Sequence, residues 1–166
     1  ILLLEKQKNT SHYRIQPLPV NSGVFCLKKD RFQDIVWIGT DGQGVYLYSN
    51  PLYSIKSVVL GNYTEKIERP VRALLQDDER TFWVGTKGNG ILKIYDYEVD
   101  KNLSDCRAEV LTTSNSALGS NAVYCFARSH RNLLWIGEEE GLTYYSYREK
   151  RIKRLPVRIG NEEFKY

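Results

Sequence analysis

Very few side chains in this sequence of 166 residues have the type and spacing that catalysis or metal binding needs. Its two histidines, His12 and His130, stand far apart, and no Cys/His cluster has the spacing of a zinc site. Ser129 directly precedes His130, but adjacency in sequence does not give the geometry of a catalytic triad. The consecutive carboxylates of Glu138–Glu140 are typical of a solvated turn. We therefore predict that this segment is not an enzyme and holds no metal and no cofactor.

The dominant pattern is a repeat centred on the three tryptophans of the chain. They stand in Trp37-Ile-Gly-Thr, Trp83-Val-Gly-Thr and Trp135-Ile-Gly-Glu, at spacings of 46 and 52 residues. The glycine two residues after each tryptophan recurs as well: Gly39, Gly85 and Gly137. A period of this size indicates a repeat protein in which every copy builds one supersecondary unit.

Each copy of the repeat predicts four short strands. The first is an apolar run that begins at Val24, Val71 or Val123, and a polar turn separates it from the tryptophan strand. A glycine-containing loop leads to a third strand rich in tyrosine. A weaker fourth strand follows, for which Ile55 and Val110 mark the start in the first two copies. The high aromatic content, with twelve Tyr, also favours pleated, half-buried surfaces.

Four antiparallel strands per repeat form one blade of a β-propeller. We therefore predict an all-β fold, a β-propeller fragment of about three and a half four-stranded antiparallel blades. The predicted boundaries are 1–19 for the outer half of a preceding blade, 20–66, 67–117 and 118–160 for three blades, and 161–166 for the lead into a missing blade. The remaining blades of a longer chain are the expected partners. A homodimer that closes the ring is a weaker alternative, because each half-blade would lack its inner pair of strands.

The tryptophans are interpreted as packing residues between blades rather than as a surface on which a ligand stacks, because every copy carries one. On this interpretation Trp83 lies in the blade that is flanked on both sides. We therefore predict that Trp83→Ala destabilises the protein more than Trp37→Ala or Trp135→Ala.

The three cysteines are predicted to be unpaired. Cys26 and Cys125 occupy the same position of the repeat, which Ala73 fills in the middle copy. A position that takes Cys and Ala is expected to be a small, buried packing site, where cysteine acts as a small hydrophobe. Cys106 falls in a polar stretch with no evident partner.

The whole pattern resembles the two-component regulator propeller repeat. The resemblance covers residues 20–150; its third copy differs by having Glu138 in place of the threonine and a loop that is one residue shorter. Such repeats build the periplasmic sensor region of membrane-bound histidine kinases, including hybrid sensor–regulators. The resemblance thus implies a periplasmic sensor segment that takes part in signal transduction. It also implies that the signal is an oligosaccharide or another small polar ligand.

A ligand is expected on the face where two kinds of loop meet. One is the loop between the second and third strands of a blade, and the other is the connection that enters the next first strand. Charged and amide side chains in these loops suit hydrogen bonding to polyhydroxylated or anionic ligands. We select Asp41, Arg69, Lys87 and Asn121 as the candidate ligand-binding residues.

Charge and hydropathy argue against two other classes of partner. The formal charge of +4 comes from scattered basic residues rather than from one basic face, so nucleic acid is not expected as a partner. No apolar run approaches the roughly 20 residues that span a bilayer, so no membrane contact is expected from this segment. Two functional alternatives stay open. One is a fragment of a propeller enzyme, such as a polysaccharide lyase or glycosidase, and the other is a protein-interaction propeller.

Overall fold

The computed structural model consists of antiparallel β-strands joined by turns and loops. It describes residues 2–49, 54–58, 67–95, 97, 106–129, 132–155, 157–159 and 162–164, with the backbone alone for residues 3, 54–56, 157–159 and 162–164. These ranges contain sixteen strands and no helix. Within them, no helical segment of the length and hydropathy that a membrane crossing requires is found. The all-β prediction is confirmed.

The strands pair into five antiparallel sheets that follow the order of the chain. A hairpin of β1 (Leu2–Lys6) and β2 (Tyr13–Pro17) comes first. Blade 1 consists of β3 (Val24–Lys29), β4 (Ile35–Thr40), β5 (Val45–Ser49) and β6 (Ser54–Ser57). Blade 2 consists of β7 (Val71–Gln76), β8 (Phe82–Thr86), β9 (Ile91–Tyr95) and β10 (Arg107–Leu111). Blade 3 consists of β11 (Val123–Ser129), β12 (Leu133–Glu138), β13 (Gly141–Ser146) and β14 (Arg151–Arg154).

Four-stranded sheets with their strands in sequence order are the blades of a propeller, so the β-propeller fragment is confirmed. A last hairpin, which is not among the predicted strands, pairs β15 (Val157–Ile159) with β16 (Glu162–Phe164). Only Gly160 and Asn161 separate these strands in the sequence, and Gly-Asn is typical of a two-residue hairpin. The predicted blade boundaries stay predictions.

The glycine after each tryptophan makes room for the inner strand of its blade. The first strand carries a β-bulge in all three blades, which places its small residue opposite this glycine. The pairs are Cys26 with Gly39, Ala73 with Gly85, and Cys125 with Gly137. A Cβ at Gly137 would lie 2.5 Å from Sγ of Cys125, which is closer than real Cβ atoms come. The small residue and the glycine therefore share one space, and a larger side chain at one position has to be accommodated by the other.

We expect Gly137→Ala to destabilise the protein by about 1–3 kcal/mol, because the added methyl group overpacks this site. Cys125→Ala should restore most of the loss, since Sγ of Cys125 is the only side-chain atom of the described residues within 4 Å of the new Cβ. Urea unfolding of the intact protein measures both effects.

Gly39→Ala is the matched comparison for this rescue. Its Cβ would lie 2.7 Å from Cγ1 of Val71 as well as 2.5 Å from Sγ of Cys26, so Cys26→Ala should not rescue it. If Cys125→Ala leaves the Gly137→Ala loss unchanged, the steric explanation is wrong.

The burial of the cysteines corrects the sequence prediction at Cys125 and Cys106. Ala73 is buried, Cys26 is half-buried, and Cys125 is exposed rather than buried. The difference arises because this position faces the following blade: Sγ of Cys26 lies 3.5 Å from the carbonyl oxygen of Val71 in blade 2. Burial raises the pKa of the Cys26 thiol to about 11. Cys106, expected in a polar loop, is instead buried in the apolar core between blades 1 and 2.

Blade 2 packs between the other two blades, with β7 in contact with β3 and β4 on one side and β11 on the other. Each of the first two tryptophans faces the following blade. Trp37 stacks on Phe82 with 3.8 Å between ring centroids, and Trp83 lies edge-on to Tyr145 at 4.8 Å. Trp37 and Trp83 are 0% and 1% exposed, whereas Trp135 is only half-buried. The middle blade is thus flanked on both sides as expected, but this does not bury Trp83 more deeply than Trp37.

A buried carboxylate orients each of these two tryptophans, which the repeat pattern does not predict. Oδ2 of Asp30 accepts hydrogen bonds from Nε1 of Trp37 at 3.0 Å and from the hydroxyl of Tyr97 at 2.8 Å. The second copy consists of Asp77, Trp83 and Tyr147, with distances of 2.8 and 3.2 Å. Because the tyrosine belongs to the following blade in both copies, the carboxylate joins the two blades through a tryptophan and a tyrosine.

An ion triad also joins all three blades at the end of the sheets where the first and second strands turn. Asp78 of blade 2 binds Nη1 of Arg31 in blade 1 at 2.5 Å and Nη1 of Arg128 in blade 3 at 2.8 Å. Hydrogen bonds from Arg128 and Arg31 lower the pKa of Asp78 to about 2. All three side chains are well exposed, so the triad contributes to blade alignment more than to stability.

Candidate ligand-binding face

The threonine that ends the second strand shapes the loop that follows. Oγ1 of Thr40 donates to the carbonyl oxygen of Gly44 at 2.7 Å and accepts from the amide of Gln43 at 3.2 Å. The same two bonds recur in blade 2, between Thr86, Gly90 and Asn89. The closing glycines have φ of 72° and 73°, a conformation that L side chains rarely adopt. These two loops are therefore held in one shape by their own sequence.

The third loop reaches its shape by other contacts, and Glu138 is not part of a solvated cluster as predicted. Glu138 is 6% exposed; its Oε1 accepts a hydrogen bond from Oγ1 of Thr143 at 2.5 Å, and its Oε2 accepts one from the amide of Ser120. The longer side chain thus ties the loop to the connection that precedes β11. Glu139 and Glu140 alone are exposed. Among the described residues, no group of three His, Cys, Asp or Glu is placed to hold a metal ion.

Backbone hydrogen bonds bring the two kinds of loop together on one face. In blade 1 the amide of Asp41 donates to the carbonyl oxygen of Gly23, just before β3, at 2.9 Å. In blade 2 the amide of Lys87 donates to the carbonyl oxygen of Pro70, just before β7, at 2.8 Å. Lys87 also forms an isolated bridge with Ala122, just before β11. The loop of blade 2 therefore touches the connections that enter its own first strand and that of blade 3.

Three of the four candidate residues present free charges on this face. Asp41, Arg69 and Lys87 are exposed, and their side chains make no hydrogen bond or ion pair within the described part of the chain. The aliphatic part of Arg69 lies over Gly88, where a Cβ would be 3.5 Å from its Cγ. The blade 1 loop approaches the same connection, since a Cβ at Gly42 would lie 3.0 Å from the preceding carbonyl oxygen, that of Glu68. Carboxylate, guanidinium and ammonium groups thus occupy neighbouring loops.

Asn121, the fourth candidate, builds the loop rather than presenting a free side chain. Its Oδ1 accepts the amide of Thr113 at 2.9 Å, and its carbonyl oxygen accepts the amides of Gly88 and Gly90 at 2.9 Å each. We therefore expect substitutions of Asn121 to act on loop shape, whereas substitutions of the three charged residues act on a ligand directly.

The residues considered for catalysis are not brought together by the described structure. His12 is exposed in the turn between β1 and β2, where its amide donates to Oγ1 of Thr10. Ser129 ends β11. His130, which follows it, lies outside the described residues.

A buried lysine is the most distinctive side chain that the sequence reasoning missed. Lys93 is 5% exposed, its Nζ lies 3.0 Å from Oε2 of Glu109, and it stands 4.8, 5.0 and 4.7 Å from the ring centroids of Trp83, Tyr95 and Tyr145. Lys93 is the cross-strand partner of Trp83. The corresponding partners of the other tryptophans are Leu47 and Tyr144. That comparison between the repeats is the signal that could have found it.

Of the comparisons with known proteins, only the one with solved structures finds matches to this chain. No protein family model and no curated protein matches the sequence. The extracellular domain of BT3049 from B. thetaiotaomicron, assigned as a hybrid two-component system, superposes with a TM-score of 0.66 at 22% identity. That of BT4673 from the same organism gives a TM-score of 0.56 at 21% identity. This chain has the fold of these extracellular sensor domains.

The sensor-domain fold extends over nearly all of this chain but over a small part of each sensor domain. The two superpositions cover 92% and 88% of this chain and 18% of each of the other chains. PorZ, a surface component of the type IX secretion system of Porphyromonas gingivalis, also matches, with a TM-score of 0.57 at 25% identity over 72% of this chain and 17% of PorZ. The same fold thus occurs in proteins of different function, so function has to be argued from the site.

Proposed function

We propose that this chain is a non-catalytic propeller segment of the extracytoplasmic sensor domain of a two-component histidine kinase. It detects a carbohydrate-like ligand, and the intact protein signals that ligand across the membrane. The observation that carries the proposal is the fold that the chain shares with extracellular domains of two-component systems. The same likeness supports a periplasmic location.

The loop face supports the position of the ligand site. Asp41, Arg69 and Lys87 are charged, exposed and unpaired within the described part of the chain, yet the backbone of their loops is fixed by hydrogen bonds. Such a surface presents donors and acceptors to a polyhydroxylated or anionic ligand with little further ordering of the backbone, which lowers the entropic cost of binding. The other blades of the intact protein, or a second copy, would complete the face.

The test is a thermal-shift screen of the intact protein against a panel of neutral and acidic oligosaccharides. The Kd of each hit is then measured for Asp41→Ala, Arg69→Ala and Lys87→Ala. We expect at least one of these variants to weaken binding about tenfold or more, which corresponds to the loss of one charge-assisted hydrogen bond. Lys8→Ala, an exposed lysine in the turn between β1 and β2, is the control and should bind as the wild type does.

Asn121→Ala separates loop shape from direct contact. It should lower the melting temperature as well as the affinity, because the amide of Thr113 loses its acceptor. If none of the four substitutions changes the affinity for a hit, this face is not the ligand site. If no oligosaccharide in the panel binds, the carbohydrate proposal itself is wrong.

The likeness to PorZ favours a second candidate function, a cell-surface propeller that binds protein partners. In that case the charged loop face would contact a protein rather than a saccharide. Cross-linking in intact cells from cysteines placed at Asp41 and Lys87 distinguishes the two, because only the second function yields a defined protein adduct at this face.

A further inference from the structure

The contact between blades 2 and 3 forms a cavity of about 330 Å³ that is open to solvent on one side and lies apart from the loop face. Its walls include Trp83, Lys93, Tyr95, Tyr145 and Tyr147, and Glu109 also lines it. Thr81 and Lys150 also line the cavity. Thr81 lies next to a turn and Lys150 lies in one, both at the end of the sheets that is opposite the loop between β8 and β9. A volume of this size lies within the range of small-molecule sites, about 300–1,000 Å³.

Lys93 in this cavity is not explained by packing. Burying a lysine costs free energy even when it is paired, and apolar residues of similar size often replace such pairs without loss of stability. At the contact between blades 1 and 2, the same repeat position does hold an apolar residue, the buried Leu47. Departures from a local packing rule are expected where a site has a function.

The charged groups inside the cavity already have hydrogen-bond partners. Oε2 of Glu109 accepts hydrogen bonds from Lys93 at 3.0 Å and from the hydroxyl of Tyr95 at 2.6 Å. Asp77 accepts hydrogen bonds from Nε1 of Trp83 and from the hydroxyl of Tyr147. An ionic ligand would therefore have to compete with these existing partners, which favours a ligand without net charge.

Within the described structure, Oε1 of Glu109 and one donor of Lys93 make no hydrogen bond, and hydroxyls and aromatic faces lie beside them. Oγ1 of Thr81 makes no hydrogen bond within the described structure, and burial raises the pKa of Tyr145 to about 12, so that its hydroxyl stays a donor at neutral pH. The mouth carries one exposed residue of each sign, Glu79 and Lys150, so the entrance favours neither charge. Rings beside alternating donors and acceptors match a small molecule that has an apolar face and several hydroxyls.

We propose that the cavity beside Lys93 binds one neutral sugar residue, at a site separate from the charged loop face. The ring of the sugar lies against Tyr145, and its hydroxyls bind Lys93, Glu109 and Thr81. This site depends on the cavity alone and exists whether or not the intact protein is a sensor kinase.

The test is saturation-transfer NMR and calorimetry on the intact protein with the methyl glycosides of glucose, galactose, mannose and xylose. Glucuronate and glucosamine are the charged comparisons. We expect saturable binding of at least one neutral glycoside, with a Kd on the order of 1 mM, and at least tenfold weaker binding of both charged sugars. Equal or tighter binding of a charged sugar, or no binding of any neutral glycoside, overturns the proposal.

Lys93→Leu places in blade 2 the residue that blade 1 has at this position. A binding role predicts at least tenfold weaker glycoside binding with no fall in melting temperature, whereas a purely structural role predicts a fall in melting temperature and unchanged affinity. Tyr145→Phe and Thr81→Val each remove one hydroxyl at nearly constant shape and should weaken binding severalfold; wild-type affinity in both would overturn the proposal, even if Lys93→Leu does not fold.

Two further variants locate the binding. Lys29→Leu, on the exposed edge of blade 1, is the control for loss of a lysine and should bind as the wild type does. Asp41→Ala should leave glycoside binding in the cavity unchanged, so that failure of the loop-face site and failure of this site are seen separately. Loss of glycoside binding in Asp41→Ala would place the sugar on the loop face and overturn the cavity proposal.

Discussion

Trp37→Ala and Trp83→Ala should each lower the free energy of unfolding by about 3–5 kcal/mol, and Trp135→Ala should lower it by clearly less. Trp37 and Trp83 are almost completely buried and face the following blade, where they contact Phe82 and Tyr145. Each substitution therefore opens a large cavity between two blades. Equilibrium unfolding of the intact protein, followed by far-ultraviolet circular dichroism, measures the three losses.

The order of these three losses in stability distinguishes two explanations of how the repeated tryptophans stabilise the protein. If coverage by the following blade decides, Trp37 and Trp83 give equal losses, because both are covered completely. If a position between two flanking blades decides, only Trp83 gives the large loss. A loss at Trp135 as large as those at the other two positions would contradict the packing described here.

Asp30→Ala should cost about 2–5 kcal/mol, although it removes a surface-type residue from a turn. The substitution leaves the buried donors of Trp37 and Tyr97 without an acceptor, and each unpaired donor costs about 1–3 kcal/mol. The exposed Asp41→Ala is the matched control and should change stability by no more than about 0.5 kcal/mol.

A double-mutant cycle identifies the source of this loss. In a Trp37→Phe background one donor is already absent, so Asp30→Ala should cost less than it does in the wild type. Strictly additive losses would show that Asp30 does not act through Trp37.

The carboxylate of Asp30 also makes the stability of the protein depend on pH in the acid range. Burial alone would raise the pKa of Asp30, but hydrogen bonds from Trp37, Phe32, Gln76 and Tyr97 outweigh it and hold this pKa below its usual value. The stabilisation is therefore complete above the unfolded pKa of about 3.9 and is lost as the pH falls through the lower folded value. Asp30→Ala should accordingly be less sensitive to acid than the wild type between pH 4 and the acid transition. A parallel fall in both proteins would contradict this role.

The repeated residues could be predicted from the sequence because they recur at one period. Trp37, Trp83 and the glycines that follow them have the packing roles that their position in the repeat predicts. The paired carboxylates could not be predicted in the same way. Asp30 and Asp77 occupy matching positions, but the third repeat has Ser129 there, and an aspartate in a turn usually indicates only the turn itself.

The remaining misses depend on contacts between distant strands and loops, which the spacing of the repeat does not show. Lys93 is buried because Trp83, Tyr145 and Glu109 surround it, and all three side chains come from other strands, two in blade 2 and one in blade 3. Glu138 is buried because the amide of Ser120 and the hydroxyl of Thr143 bind its carboxylate. Periodicity predicts which residues repeat, whereas the surroundings of a residue that departs from the repeat depend on contacts that only the folded chain forms.

The loop face and the blade contacts have separate roles in this account. Buried tryptophans, carboxylates and glycines fix the blades, whereas Asp41, Arg69 and Lys87 are exposed and have no side-chain partner among the described residues. A substitution in the first group should change stability, and one in the second should change affinity. The two kinds of measurement can therefore be made on the same protein without confusing their causes.

Hydrogen exchange of the intact protein, with and without the oligosaccharide that gives the largest thermal shift, tests the proposed ligand face most directly. The account predicts slower exchange of the loop amides of residues 41–44 and 87–90 and of the connection at residues 67–69, with no change in the buried strand β8. Protection that is absent from all three segments, and present only elsewhere in the protein, would contradict it.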